Sequence, residues 1–240
     1  AGRVSHYEIW NEPNTAPYGF WQTHGRYADC DRSAFEANCA RDYVELVEIS
    51  AAAVRAAVPD AVIIGGSISL TLDACFYIRN LVENGIARHI DVLSYHPYGG
   101  NPDFSLRERF DNLRHELDTH GGAHVAIWQG EAGYATVPHD TASGSEYVQA
   151  KYLVRRFAAD FQCGVEMSSY FMVMDKRAYN RSTAVCGMGV LDAGGRPKLS
   201  YRALQSMGYL YDSADRADDL YLRVNIYGAP LMSHLRHVSI

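Results

Sequence analysis

Five times along the chain, a short run rich in β-branched and aromatic residues precedes a longer segment with apolar residues at helical spacing. This alternation constrains the fold more than any other feature. The run VSHYEIW (4–10) is followed by ARDYVELVEISAAAVRAAVPD (40–60), where Tyr43, Leu46, Val47, Ile49, Ala53, Val54 and Val58 recur on one helical face. AVIIGG (61–66) has the look of a strand buried on both faces, and DACFYIRNLVENG (73–85) of a helix closed by Gly85. IDVLSYH (90–96) precedes the amphipathic SLRERFDNLRHELDTHG (105–121), and HVAIWQGE (124–131) precedes GSEYVQAKYLVRRFAADFQCG (144–164), capped by Ser145. VEMSSYFMVMD (165–175) and LSYRALQSMGYLYD (199–212) complete the series. Repeated βα units with buried strands predict an α/β fold, a parallel sheet with its helices outside. Two architectures satisfy this, an open doubly wound sheet and a (β/α)8 barrel. The first run lacks the GxGxxG that a dinucleotide fold places after it.

Composition narrows the function. Of 240 residues, 48% are apolar and 21% charged, the balance of a globular chain with a core. The net charge of −6 and the lack of a basic run argue against a nucleic-acid partner. No apolar stretch approaches the roughly 18 residues of a membrane-spanning helix. The 17 tyrosines suit both core packing and the flat faces of sugars. Five cysteines are present and none stands in a CxxC pair, so a zinc ribbon is not expected. Cys30 and Cys39 flank what reads as a polar loop, CDRSAFEANC, where a disulfide and a pair of reduced thiols are both compatible.

The strand ends carry the chemistry. In HYEIWNEPNT (6–15), Glu12 falls where Pro13 must stop a ladder, since proline has no N–H to donate. The third run ends in His96-Pro97-Tyr98-Gly99 and the fourth in Gly130-Glu131-Ala132-Gly133-Tyr134. The fifth ends near Asp175 and Lys176. In either parallel architecture these tips lie on one rim, where active sites collect. A lone Glu at a strand end is more often a surface residue. Two of them on tips of parallel strands suit glycoside cleavage, in which one carboxyl donates a proton to the leaving oxygen and the other attacks or activates water. Gly130 and Gly133 are expected to let the backbone turn and a ligand approach.

Three motifs carry a family resemblance. IWNEPN (9–14) resembles the acid/base motif at the end of barrel strand four in the clan A glycoside hydrolases. VLSYHPYGG (92–100) resembles their sixth strand, and AIWQGEAGYAT (126–136) their nucleophile strand, the seventh. The resemblance covers about residues 4–212. It implies a retaining β-glycosidase or endoglycanase on a (β/α)8 TIM barrel, with Glu12 as acid/base and Glu131 as nucleophile. It further implies that Asn11 binds the sugar 2-hydroxyl and that His96 and Tyr98 line the cleft, with Tyr98 touching Glu131. Trp21 and Tyr134 are further candidates for substrate contact. So is Tyr170, although SYFMVMDKRAYN (169–180) departs from the clan in lacking the tryptophan often found near the end of strand eight.

Glu12 lies almost at the first residue, so the resemblance implies a partial barrel, strands four to eight with their helices, whereas a whole barrel needs about 250 residues. The catalytic barrel portion is expected over 1–214 and is expected to be N-terminally truncated. Residues 215–240 are expected to begin an accessory β-domain or tail. No cofactor and no metal are expected. The expected partner is an oligosaccharide or polysaccharide, with no nucleic acid and no membrane, and a secreted or extracytoplasmic location. The alternative is a catalytically inactive carbohydrate-binding barrel or fragment. A metal-dependent hydrolase would need more His and Asp at the tips than His96 supplies.

Overall fold

The computed structural model describes residues 4–15, 32–69, 74–99, 102, 106–136, 144–176 and 187–211. Five strands form one sheet: β1 (His6–Glu8), β2 (Val62–Ser69), β3 (Val92–His96), β4 (Ala126–Ala132) and β5 (Met167–Tyr170). Their spatial order is their chain order, and every neighbouring pair is parallel. The helices α1 (Arg32–Ala57), α2 (Ala74–Glu83), α3 (Leu106–Thr119) and α4 (Glu146–Cys163) make the crossovers, and α5 (Leu199–Tyr211) follows β5. The sheet curls. His6 of β1 stacks on Trp128 of β4, ring centroids 5.6 Å apart, although two strands separate them in the sheet. The result is the arc of a (β/α) barrel, the partial architecture expected.

The core lies between sheet and helices. Tyr43, Val47, Ile63, Ile68, Leu81, Leu93, Leu113, Leu117 and Ile127 form one buried cluster. These are the apolar positions of the helical faces together with the outward faces of β2–β4. Helix ends follow the expected chemistry. Ser145 accepts from Val148 N–H at the start of α4, and Gly164, with φ 87°, closes it. Gly85, with φ 84°, follows α2 and leads into a single 3₁₀ turn.

Three expectations need correction. Residues 32–39 of the expected polar loop are helical, because α1 already begins at Arg32, and Cys39 is buried within the helix. The run Ser33-Ala34-Phe35-Glu36-Ala37 contains nothing that breaks a helix. The first strand spans three residues rather than seven. Trp10 and Glu12 adopt φ 68° and 42°, values that end an extended ladder. The last strand stops at Tyr170 because the next residues change partner. Val190 N–H donates to Met172 O at 3.0 Å, and Asp175 N–H to Leu191 O at 2.9 Å. Cys30, Trp21 and the accessory segment expected over 215–240 lie outside the described residues. No helix among the described residues is long and apolar enough to cross a membrane.

Candidate active site

Glu12 is held by its own turn and by the neighbouring strand. Its N–H donates to Ser67 O at 3.0 Å, and its carbonyl accepts from Thr15 N–H at 3.1 Å. Asn14 clamps the tip of β2 twice, donating to Ser69 O at 2.8 Å and accepting from Ser69 N–H at 3.1 Å. One residue before the turn region, the Tyr43 phenol of α1 donates to Ile9 O at 2.8 Å and accepts from Gly66 N–H at 2.9 Å. β1 and β2 are therefore stapled together where their ladder ends. The left-handed φ of Glu12 costs on the order of 1–3 kcal/mol in a non-glycine residue and persists because these bonds over-determine it.

The other groups come from β3 and β4. His96, 2% exposed, places Nδ1 at 3.0 Å from Glu12 Oε1 and 3.8 Å from Glu131 Oε2. Tyr98 donates its hydroxyl to Glu131 Oε2 at 2.8 Å. The ligand-type atoms of Glu12, His96 and Glu131 all lie within 4.8 Å of one another. Among the described residues this is the one such cluster that could hold a metal ion. At 3.0 Å the His96–Glu12 contact is also an ordinary hydrogen bond. An ionised Glu12 accepts from Nδ1–H, and a protonated Glu12 donates to Nδ1, so the pair can hold a proton on either partner. Glu131 has a different partner, a phenol that donates to it.

Gly130 makes this approach possible. A Cβ there would stand 3.2 Å from His96 Nε2 and collide with Ser94 Oγ. At Gly133 a Cβ would run into the Phe171 carbonyl. Neither glycine has a positive φ, so their role is close approach rather than the expected sharp turn.

The other expected site residues are placed as follows. Asn11 is exposed beside Glu12. Tyr134 is 3% exposed, its phenol oxygen taken by Arg156 Nε–H at 3.1 Å, so it sits behind the site rather than on a sugar face. Tyr170, half-buried, bonds the Tyr134 backbone through its hydroxyl at 3.3 and 3.4 Å. Burial pushes both phenols above their usual value. Trp21 lies outside the described residues. Asp175 belongs to a structural pair, Lys198 Nζ standing 2.6 Å from its Oδ2. Sequence reasoning missed Asn14, Thr15, Tyr43 and Arg156, all of which work through backbone atoms or other side chains.

Solved structures of similar fold include several glycoside hydrolases. A family 39 β-xylosidase from Caulobacter crescentus matches with TM-score 0.58 at 21% identity, over 85% of this chain and 41% of its own. A family 39 enzyme from Xanthomonas axonopodis pv. citri matches with TM-score 0.60 at 17% identity, over 85% and 40%. A glucosidase from Croceicoccus marinus matches with TM-score 0.60 at 17% identity, over 86% and 40%. The chain thus spans about two-fifths of the length of these relatives. No protein-family model and no curated protein matches it.

Proposed function

We propose that the chain carries the catalytic carboxylates of a retaining glycoside hydrolase acting on β-linked glycosides. The observation that carries this reading is the approach of Glu12 and Glu131 at the tips of two parallel strands, with oxygens within 4.8 Å. Carboxyls about 5–5.5 Å apart leave room for an anomeric carbon but not for an interposed water. The partners divide the roles. Glu12, paired with an imidazole able to give or take a proton, donates to the leaving oxygen and then deprotonates water. Glu131, held by the Tyr98 hydroxyl at one oxygen, attacks carbon with the other and forms the glycosyl-enzyme. Asn11, exposed and next to Glu12 in the chain, binds the sugar hydroxyl next to the reacting carbon.

The test is hydrolysis of 4-nitrophenyl β-xyloside, β-glucoside and β-galacturonide, the sugars chosen from enzymes of similar fold. Turnover is expected from the wild type and not from Glu131→Ala, with the first product formed having the β anomeric configuration by NMR. A first product of α configuration would overturn the double displacement. Binding without turnover, unaffected by Glu131→Ala, would make the chain a carbohydrate-binding barrel. Loss of turnover in a chelator would instead assign the Glu12–His96–Glu131 cluster to a metal ion.

A further inference from the structure

Behind the carboxylates lies a buried charge that the proposed mechanism does not use. Arg156, in the middle of α4, is 3% exposed. Its Nε–H donates to the Tyr134 hydroxyl at 3.1 Å, and its Nη2 donates to Pro97 O at 3.4 Å. Both acceptors occupy particular places. Pro97 separates His96, which touches Glu12, from Tyr98, which holds Glu131. Tyr134 lies three residues beyond Glu131, just past the end of β4. One planar fork therefore grips the tips of β3 and β4, two of the three strands that carry the site. One turn further along α4, Asp160 accepts from Ser168 Oγ of β5 at 2.9 Å, so the same helix also holds the next strand.

Packing alone would not call for this residue. A buried guanidinium is costly to desolvate, and an apolar side chain of similar volume often serves packing as well or better. Arg156 is specific in geometry: two N–H groups at a fixed angle reach two loops from two strands. The Pro97 carbonyl lies beyond the β3 ladder and needs a donor from elsewhere.

We infer that Arg156 is a positioning residue, setting the spacing between the His96–Tyr98 segment and Glu131 by holding Pro97 O and the Tyr134 hydroxyl on one guanidinium. The consequence for catalysis rests on the glycosidase reading, whereas the spacing itself does not.

The experiment compares Arg156→Lys, Arg156→Met and Tyr134→Phe in the whole chain. Tyr134→Phe removes one acceptor while keeping the ring that packs edge-on against Tyr152 at 5.3 Å, which guards against a variant that does not fold. Amide hydrogen exchange is followed at Tyr98, whose N–H bonds His96 O, and at Tyr134, whose N–H bonds the Tyr170 hydroxyl. Both amides are expected to exchange about tenfold faster in Arg156→Met and less so in Tyr134→Phe, while Val47 and Leu81 on α1 and α2 keep their rates. Arg156→Lys is expected to fall between wild type and Arg156→Met. In turnover of the 4-nitrophenyl glycosides, kcat is expected to fall about tenfold to a hundredfold with little change in KM. Unchanged exchange at Tyr98 and Tyr134, or an equal rise at Val47 and Leu81, would overturn the inference. A wild-type chain without turnover would fit the inactive barrel fragment, and the exchange result would still decide for or against Arg156.

Discussion

At the scale of single residues, Gly130 shows how closely the site is built. Its missing Cβ is the space in which Ser94 Oγ and His96 sit. Gly130→Ala is expected to destabilise the protein by about 1–3 kcal/mol, the range for overpacking a filled interior. It should also push His96 away from Glu12. Urea denaturation measures the first effect and, on the glycosidase reading proposed above, loss of turnover the second. A fully stable and active Gly130→Ala protein would mean that Ser94 and His96 move aside at no cost. Asp160 supplies a pH test. It is fully buried, and burial pushes its carboxyl up to about 6, while the Arg156 charge and the Ser168 hydroxyl pull the other way. Because the folded value is raised above the ordinary 3.8, the folded state favours the protonated acid. That stability is fully present below pH about 4 and is lost as pH rises through about 6, in total on the order of 3 kcal/mol. Asp160→Asn cannot ionise, and its amide oxygen can still accept from Ser168. The stability of the wild type relative to Asp160→Asn should therefore fall between pH 4 and pH 7. A difference that stays constant over that range would show that Asp160 titrates at its ordinary value.

At the scale of elements, the segment after β5 is fastened by one buried ion pair. Lys198, 4% exposed along its side chain, meets Asp175 at 2.6 Å and also donates to Gly187 O at 3.2 Å. Asp175 Oδ1 in turn accepts from Gly189 N–H at 2.7 Å. Lys198→Met should cost about 3 kcal/mol, because it leaves the carboxylate enclosed without its cation. The double variant Lys198→Met/Asp175→Asn should recover part of that loss. Additive costs in denaturant would mean the two side chains do not interact energetically. This pair also marks the limit of what the sequence disclosed. Lys198 sits at the edge of a helical pattern, where a charge ordinarily faces water, and nothing local says that it points inward. Arg156 and Asp160 were hidden in the same way inside an amphipathic run. The strands and helices were legible because burial on a parallel sheet needs runs of β-branched residues and helices need apolar residues at helical spacing. Glu12 and Glu131 were legible because Asn-Glu-Pro and Gly-Glu-Ala-Gly place a carboxylate where a ladder ends. The start of α1 was not legible, since a polar helical turn and a polar loop have similar composition. Nor was the end of β5, which depends on a partner segment at 187–191 that arrives later in the chain.

At the scale of the whole molecule, the sheet has two faces of different character. In a closed barrel the inner face is filled by layers of side chains. Here the outer face, against the helices, holds the buried cluster, and β1 is largely exposed, with His6 and Glu8 open to solvent. Among the described residues β1 and β5 each pair on one side only. Stability should therefore reside in the helix–sheet layer, and the inner face should contribute little. Two substitutions separate these contributions. Leu117, on α3, has no exposure, and Leu117→Ala should cost about 2–5 kcal/mol through lost burial and the cavity left behind. His6→Ala removes the ring stacked on Trp128 across the inner face, and it should cost less than about 1 kcal/mol, the scale of an exposed ring contact. Both are measured as shifts in urea midpoint at constant slope. Comparable costs would show that the inner face is itself a packed core, with the His6–Trp128 contact as part of it. A large cost for Leu117→Ala alone would show that the curled sheet is held by its helices. The inner face would then be free of a folding role, as the glycosidase function proposed for Glu12 and Glu131 needs.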